Sequence, residues 1–138
     1  MNLITQSAIK SQTADFKYSA ATGSPVGAVG TYGLGIYIPK GALITRVHIL
    51  SFAAFNGALA TISFGVQSIG SLVAADPVAL VAAAVCTTYA AGTSTAVNSE
   101  YWPSSTAVEI TATLGIAAST AGRLFFSVEY IEFAWPTN

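Results

Sequence analysis

Histidine and cysteine are almost absent from this chain, and charge is scarce. Its 138 residues include one His (His48) and one Cys (Cys86). A single chain therefore holds no His₂, Cys₂ or Cys₄ metal site and closes no intrachain disulfide. Five Lys or Arg face six Asp or Glu, so 8% of residues are charged, where an ordinary soluble domain has about 25%. The net charge of −1 offers no basic surface, so neither nucleic acid nor an anionic membrane is an expected partner. Long apolar runs are missing too. The most apolar stretch, 72–86, is interrupted by Asp76 and Pro77 and falls short of the ~20 residues that a span needs. The first residues, MNLITQSAIKSQ, show no basic and apolar regions of a secretory signal. The expectation is a soluble protein made in a cytoplasm, with no metal and no cofactor.

What is abundant is small. Ala (25), Thr (15), Ser (14) and Gly (12) make up 66 of the residues. Disorder is still excluded, because disordered chains combine low hydrophobicity with high net charge, and 53% of this chain is apolar. The length suits one domain with a real core.

The dominant period is two. Ala14, Phe16 and Tyr18 alternate with polar neighbours, and Tyr32, Leu34, Ile36 and Ile38 share one face. Leu43, Val47 and Ile49 lie opposite Arg46 and His48; Ala60, Ile62, Phe64 and Val66 form the next set. Val108, Ile110, Ala112 and Leu114 follow, and Leu124, Phe126, Val128 and Tyr130 close the series. Alternation of β-branched and aromatic residues predicts half-buried strands. Pro39-Lys40-Gly41 reads as a turn, and Asn56-Gly57 as a hairpin signal. One short helix is considered over 76–84, with Asp76 as N-cap and Pro77 at the first helical position. The segment 87–99 reads as a loop or irregular edge. Six or seven strands with at most one short helix predict an all-β fold, an antiparallel β-sandwich or barrel. Residues 1–12 are expected to form an extended N-terminal arm with Ile4 and Ile9 as apolar anchors in a polar background, and 13–138 one sandwich domain.

Candidate chemistry is thin. His48 would need a Ser and a carboxylate beside it for hydrolysis, and no strained G-x-S-x-G elbow is present. Gly27, Gly30, Gly33 and Gly35 do not match the dinucleotide or phosphate-loop spacing, and read instead as sites of close backbone approach or a bulge. Glu129 and Glu132 point to opposite faces of a strand, whereas Glu109 and Glu129 are placed on one outer face near Arg46 or Arg123. Tyr37, Tyr101 and Trp102 are candidates for stacking on a sugar ring. No catalytic residue is assigned, and the chain is not expected to be an enzyme. The last strand is unusual: its outer face carries Phe125, Ile131 and Phe133, with Trp135 just beyond. A strand apolar on both faces is buried on both, so these four residues are expected at a subunit interface, which also accounts for the missing surface charge.

The stretch 30–47, GTYGLGIYIPKGALITRV, and the closing stretch 120–131, TAGRLFFSVEYI, resemble segments of small virion proteins of tailed bacteriophages. The Ala-rich middle is similar in flavour. The resemblance implies a capsid decoration (cement) or auxiliary head protein, jelly-roll-like and homo-oligomeric, with a trimer as the leading expectation and the major capsid protein or other virion subunits as partners. It implies a place on the capsid surface of the virion and brings no catalytic residues; Pro39, Gly41, Thr45 and Arg46 would shape a turn and a strand start. The alternative is a receptor- or glycan-binding module of a fibre or tail appendage.

Overall fold

A computed structural model describes residues 6–17, 30–56, 59–69, 76–103, 106–116 and 119–134. Eight strands run in chain order: β1 (Gln6–Lys17), β2 (Gly30–Ile38), β3 (Leu43–Ala53), β4 (Thr61–Ser68), β5 (Asp76–Val85), β6 (Ser94–Tyr101), β7 (Val108–Gly115) and β8 (Arg123–Ala134). They form two antiparallel four-stranded sheets, ordered β1-β8-β3-β6 and β2-β7-β4-β5. Consecutive strands alternate between sheets except at β4–β5. Two packed sheets with this winding are a jelly roll.

The core follows the period-two reading closely. Ile36, Ile38, Ile62, Phe64, Val66, Ile110, Leu114, Leu124, Phe126 and Val128 are all buried between the sheets. Phe64 of one sheet stacks on Phe126 of the other, with ring centroids 4.4 Å apart, an offset arrangement that adds to simple burial. The flanks of the sandwich are tied by polar bonds. Gln12 donates from Nε2 to the Tyr37 carbonyl, and the buried Ser99 hydroxyl donates to the Leu80 carbonyl.

Four expectations need correction. The segment 76–85 is strand β5, not a helix. Asp76 does accept a bond from the Val78 N–H, at 3.1 Å, but the chain then pairs with β4. Pro77 is tolerated because β5 is an edge strand. The helical residues described amount to one 3₁₀ turn, Cys86–Thr88. Second, Leu43 does not face the core. A bulge between Ile44 and Arg46 shifts the phase, so Ile44 is buried and Leu43 lies opposite Ile131 on the outside, as an extra residue in one strand must do. Third, Asn56 closes no hairpin, since β3 and β4 belong to different sheets. Its side chain instead clamps a distant loop: Asn56 Oδ1 accepts from the N–H of Thr120 (2.9 Å) and of Ala121 (3.2 Å). Fourth, part of the stretch assigned to an arm is ladder. β1 begins at Gln6 and pairs with β8 from Gln6↔Ala134 to Lys17↔Arg123. Within 87–99, residues from Ser94 onward belong to β6, an edge strand.

Candidate functional site

The exposed face of the β1-β8-β3-β6 sheet gathers His48, Arg46, Glu129, Phe125, Ile131 and Ile9 from the residues that the sequence singles out. Register decides its layout. Outward positions of β8 are Arg123, Phe125, Ser127, Glu129 and Ile131, and their partners on β3 and β1 also point outward. Phe125 is half-buried, with Leu50 opposite on β3 and Asp15 opposite on β1. Its ring meets Phe52 edge-on, with centroids 4.9 Å apart at 77°. The Arg123 guanidinium lies 5.6 Å from the Phe52 centroid and 5.3 Å from that of Phe125. It also holds Asp15 by two bonds, from Nε at 3.2 Å and Nη2 at 2.9 Å. That carboxylate hydrogen bond raises the Arg123 pKa further above its ordinary value.

The face divides into three zones. Leu50, Phe52 and Phe125 form an apolar end. Ile131, Leu43 and Ile9 form a second apolar cluster toward the other end, where Ile9 is 77% exposed opposite Ile131. Between them runs a polar belt. His48 Nε2 lies 3.3 Å from Glu129 Oε1, and Arg46 Nε donates to Asn98 Oδ1 at 3.1 Å. On the opposite side of the same sheet, in the parity of Tyr130, Lys10 pairs with Glu132, a contact whose hydrogen bond raises the lysine pKa. Phe133 sits on β8 opposite Ser7; Ile4 and Trp135 lie outside the described residues.

His48 does gain the neighbours that hydrolysis would require, with Ser127 opposite on β8 and Glu129 within reach. The arrangement cannot use them as a triad. Ser127 makes no hydrogen bond to the imidazole, and the nearby backbone N–H groups are committed to the ladders. An oxyanion needs free, convergent donors. His48 and Glu129 therefore read as a surface pair.

Glu109 is not on this face. It belongs to β7 in the other sheet, which separates it from Glu129 by the thickness of the sandwich. There its carboxylate accepts from Gln67 Nε2 (2.8 Å) and from the Gly35 N–H (3.2 Å). Gly33 makes the room: a Cβ there would sit 2.5 Å from the carboxylate. Gly35 takes φ +73 within an irregularity between Gly33 and Tyr37. Gly33 and Gly35 thus serve close approach and a bulge; Gly27 lies outside the described residues. Tyr37 lies on β2 of one sheet, while Tyr101 ends β6 of the other and Trp102 follows it, so the three aromatics are divided between the two sheets. Cys86 and Tyr89 are buried at the loop end, and burial raises both pKa values.

The order β1-β8-β3-β6 over β2-β7-β4-β5 makes the protein an eight-stranded jelly roll. Its fold is shared with chains of three solved phage capsids. A chain of the cyanophage Pam1 capsid asymmetric unit superposes with a TM-score of 0.60 at 17% identity, covering 91% of this chain and 85% of that one. A chain of the acid-stable capsid of Helicobacter pylori bacteriophage KHP30 gives 0.60 at 14% identity, with 96% and 98% covered. The capsid of Ralstonia phage GP4 gives 0.58 at 14% identity, with 95% and 86% covered. At these identities the likeness is one of fold. No protein-family model matches the sequence, and no curated protein is significantly similar to it.

Proposed function

We propose that the chain is a non-enzymatic structural protein of a tailed-bacteriophage virion, a capsid decoration (cement) protein that binds and stabilises the head lattice. The observation that supports this most is the extent of the shared fold. The jelly roll spans nearly all of this chain and 85%, 98% and 86% of the three phage capsid chains, which leaves little room for a separate activity. Low charge and a flat apolar–polar–apolar face suit a protein that works against other subunits rather than on a small substrate.

In this reading the outer face of β8 meets a neighbouring copy, with Phe125, Ile131, Phe133 and Trp135 in the contact and a trimer as the working state. Residues 1–5, with Ile4, together with the exposed Ile9, lie against a neighbouring virion subunit such as the major capsid protein. Mass spectrometry of purified particles tests the role. A copy number on the scale of the capsid lattice is expected. A few copies per particle would favour the receptor- or glycan-binding alternative, and absence from particles would refute a virion role. Removal of residues 1–5 should leave β1 paired and weaken attachment to particles.

A further inference from the structure

Register lays the outer face of the β1-β8-β3-β6 sheet out as rungs across the seam between β8 and β3. Ile131 lies opposite Leu43, Glu129 opposite Arg46, Ser127 opposite His48, and Phe125 opposite Leu50. These side chains point away from the core, because Leu124, Phe126, Val128, Val47 and Ile49 between them are buried. The first and last rungs are apolar on both sides of the seam. The third is polar on both sides, and the second carries opposite charges.

That charged rung is not closed on itself. Arg46 and Glu129 are ladder partners, yet among the described residues they form no ion pair within one chain. Glu129 turns Oε1 to His48 Nε2 at 3.3 Å, and Arg46 donates from Nε to Asn98 Oδ1 at 3.1 Å. The Nη groups of Arg46 and the second carboxylate oxygen of Glu129 make no hydrogen bond among the described residues. Both side chains reach solvent, so each keeps charge and hydrogen-bonding capacity for a partner outside the chain.

An isologous contact requires residue i to fit residue j in both directions. A two-fold axis parallel to the strands and lying over the seam carries β8 of one copy onto β3 of the other. Each rung is then its own complement: Ile131 meets Leu43, Phe125 meets Leu50, and each Glu129 meets the Arg46 of the other copy. On the flanks β1 falls over β6, so Ser11 meets Asn98, Thr13 meets Ala96 and Asp15 meets Ser94. None of these pairs sets like charges together. Other axes fail this requirement. Over the β1–β8 seam Asp15 would meet Phe125, and over the β3–β6 seam Leu50 would meet Ser94. An axis across the strands, between the two polar rungs, would set Arg46 on His48 and Asp15 on Ile9, burying a charge without a partner. Four strands about 4.8 Å apart and rungs about 6.8 Å apart cover roughly 500 Å² on each copy, which reaches the ~1,000 Å² total that a specific contact needs. Packed sheets align within about 30°, so the central strands β3 and β8 carry most of it.

We infer that this face docks onto the same face of a second copy, about a two-fold axis along the β3–β8 seam, with Glu129 of each copy paired to Arg46 of the other. An unrelated apolar surface satisfies the first and last rungs only. A pattern that repeats across the seam with its charge inverted is matched by itself, which selects a second copy as the occupant. The inference rests on the reading that the β8 face meets a neighbouring copy, and assigns that contact two-fold symmetry in place of three-fold.

The test uses full-length chains in sedimentation velocity, where the wild type should run as a dimer. Glu129→Arg and Arg46→Glu each set like charges against each other twice across the axis, so each should raise the dissociation constant roughly 100-fold. Mixed in equal amounts, the two variants should associate as tightly as the wild type, because both cross-axis pairs are opposite again. Leu43→Asp and Ile131→Lys give a second readout on an apolar rung: neither should self-associate, and their mixture should. Wild-type association by either charge reversal overturns the inference. So do mixtures that stay monomeric while every variant melts as a folded β protein. A wild-type trimer that Phe125→Asp dissociates overturns the two-fold and leaves the β8 contact standing. A wild-type monomer at millimolar concentration overturns both.

Discussion

Replacing Phe125 by Asp separates the outer face from the core, because its neighbours Leu124 and Phe126 point the other way. Within one chain, Phe125 is half-buried and makes one edge-on ring contact with Phe52. Losing half the burial of a large apolar side chain costs about 1 kcal/mol, and the aromatic pair adds about 0.5–1.5 kcal/mol. The new carboxylate sits beside Arg123, which keeps a partner. The total is about 1.5–2.5 kcal/mol, or a fall in Tm of about 5–8 °C for a chain of this size. Phe126→Ala is the internal comparison. Phe126 is fully buried and stacks on Phe64, so its truncation should cost about 3–5 kcal/mol, or about 10–20 °C. Thermal melting monitored by circular dichroism supplies one axis, and light scattering at the same concentrations supplies the other. Phe125→Asp should melt as a folded β protein and lose the mass of the assembly. If it destabilises as strongly as Phe126→Ala, the outer face is core under another segment of the same chain. If the mass does not change, this face is not the interface.

Asn56→Ala should remove the acceptor for the Thr120 and Ala121 N–H groups, costing about 1–2 kcal/mol; hydrogen exchange should accelerate at those two amides and not in the ladders. Gly65→Ala and Gly33→Ala should differ, because the Cβ meets Asp76 and Pro77 backbone at 2.0 Å in the first and the end of the Glu109 side chain in the second. The first should cost about 3 kcal/mol or more and the second about 1 kcal/mol, by urea unfolding; equal losses would contradict the close approach of β5 to β4. Burial raises the Cys86 pKa in the folded protein, so the folded state holds the thiol proton more tightly than the unfolded state. That contribution is present below the ordinary thiol value and fades as pH climbs past about 8.5; Cys86→Ala should flatten the alkaline loss of stability, and a thiol reagent should label Cys86 only after unfolding.

The candidate face was half legible. Its β8 contribution followed from alternation, since Phe125 and Ile131 fall on odd positions outside the even-numbered core. Leu50 and Phe52 were missed. They sit at the end of β3 beside a second irregularity, between Ser51 and Ala53, and only the cross-strand register brings them to Phe125. The Arg123–Asp15 pair joins residues 108 positions apart, and no local pattern foretells it.

Alternation is a property of neighbouring residues, so the sequence alone determined the strands and their buried sides: Tyr32 to Ile38, Ala60 to Val66, Val108 to Leu114 and Leu124 to Tyr130. Scarce charge and the lone His and Cys likewise limited the chemistry without reference to any fold. Tertiary structure decided what depends on partners. Asp76–Val85 carries adjacent buried residues, Leu80 and Val81, and three consecutive alanines, Ala82 to Ala84, a pattern without clear period, and it became a strand because β4 offered an unpaired edge. Ile44 rather than Leu43 turned inward because one extra residue in β3 reversed the phase against β8. Asn56-Gly57 carries the local chemistry of a hairpin, yet β3 and β4 went to opposite sheets, where β3 pairs with β8 and β6 and β4 with β7 and β5. Partner choice sums burial over the whole molecule, which no window of sequence contains.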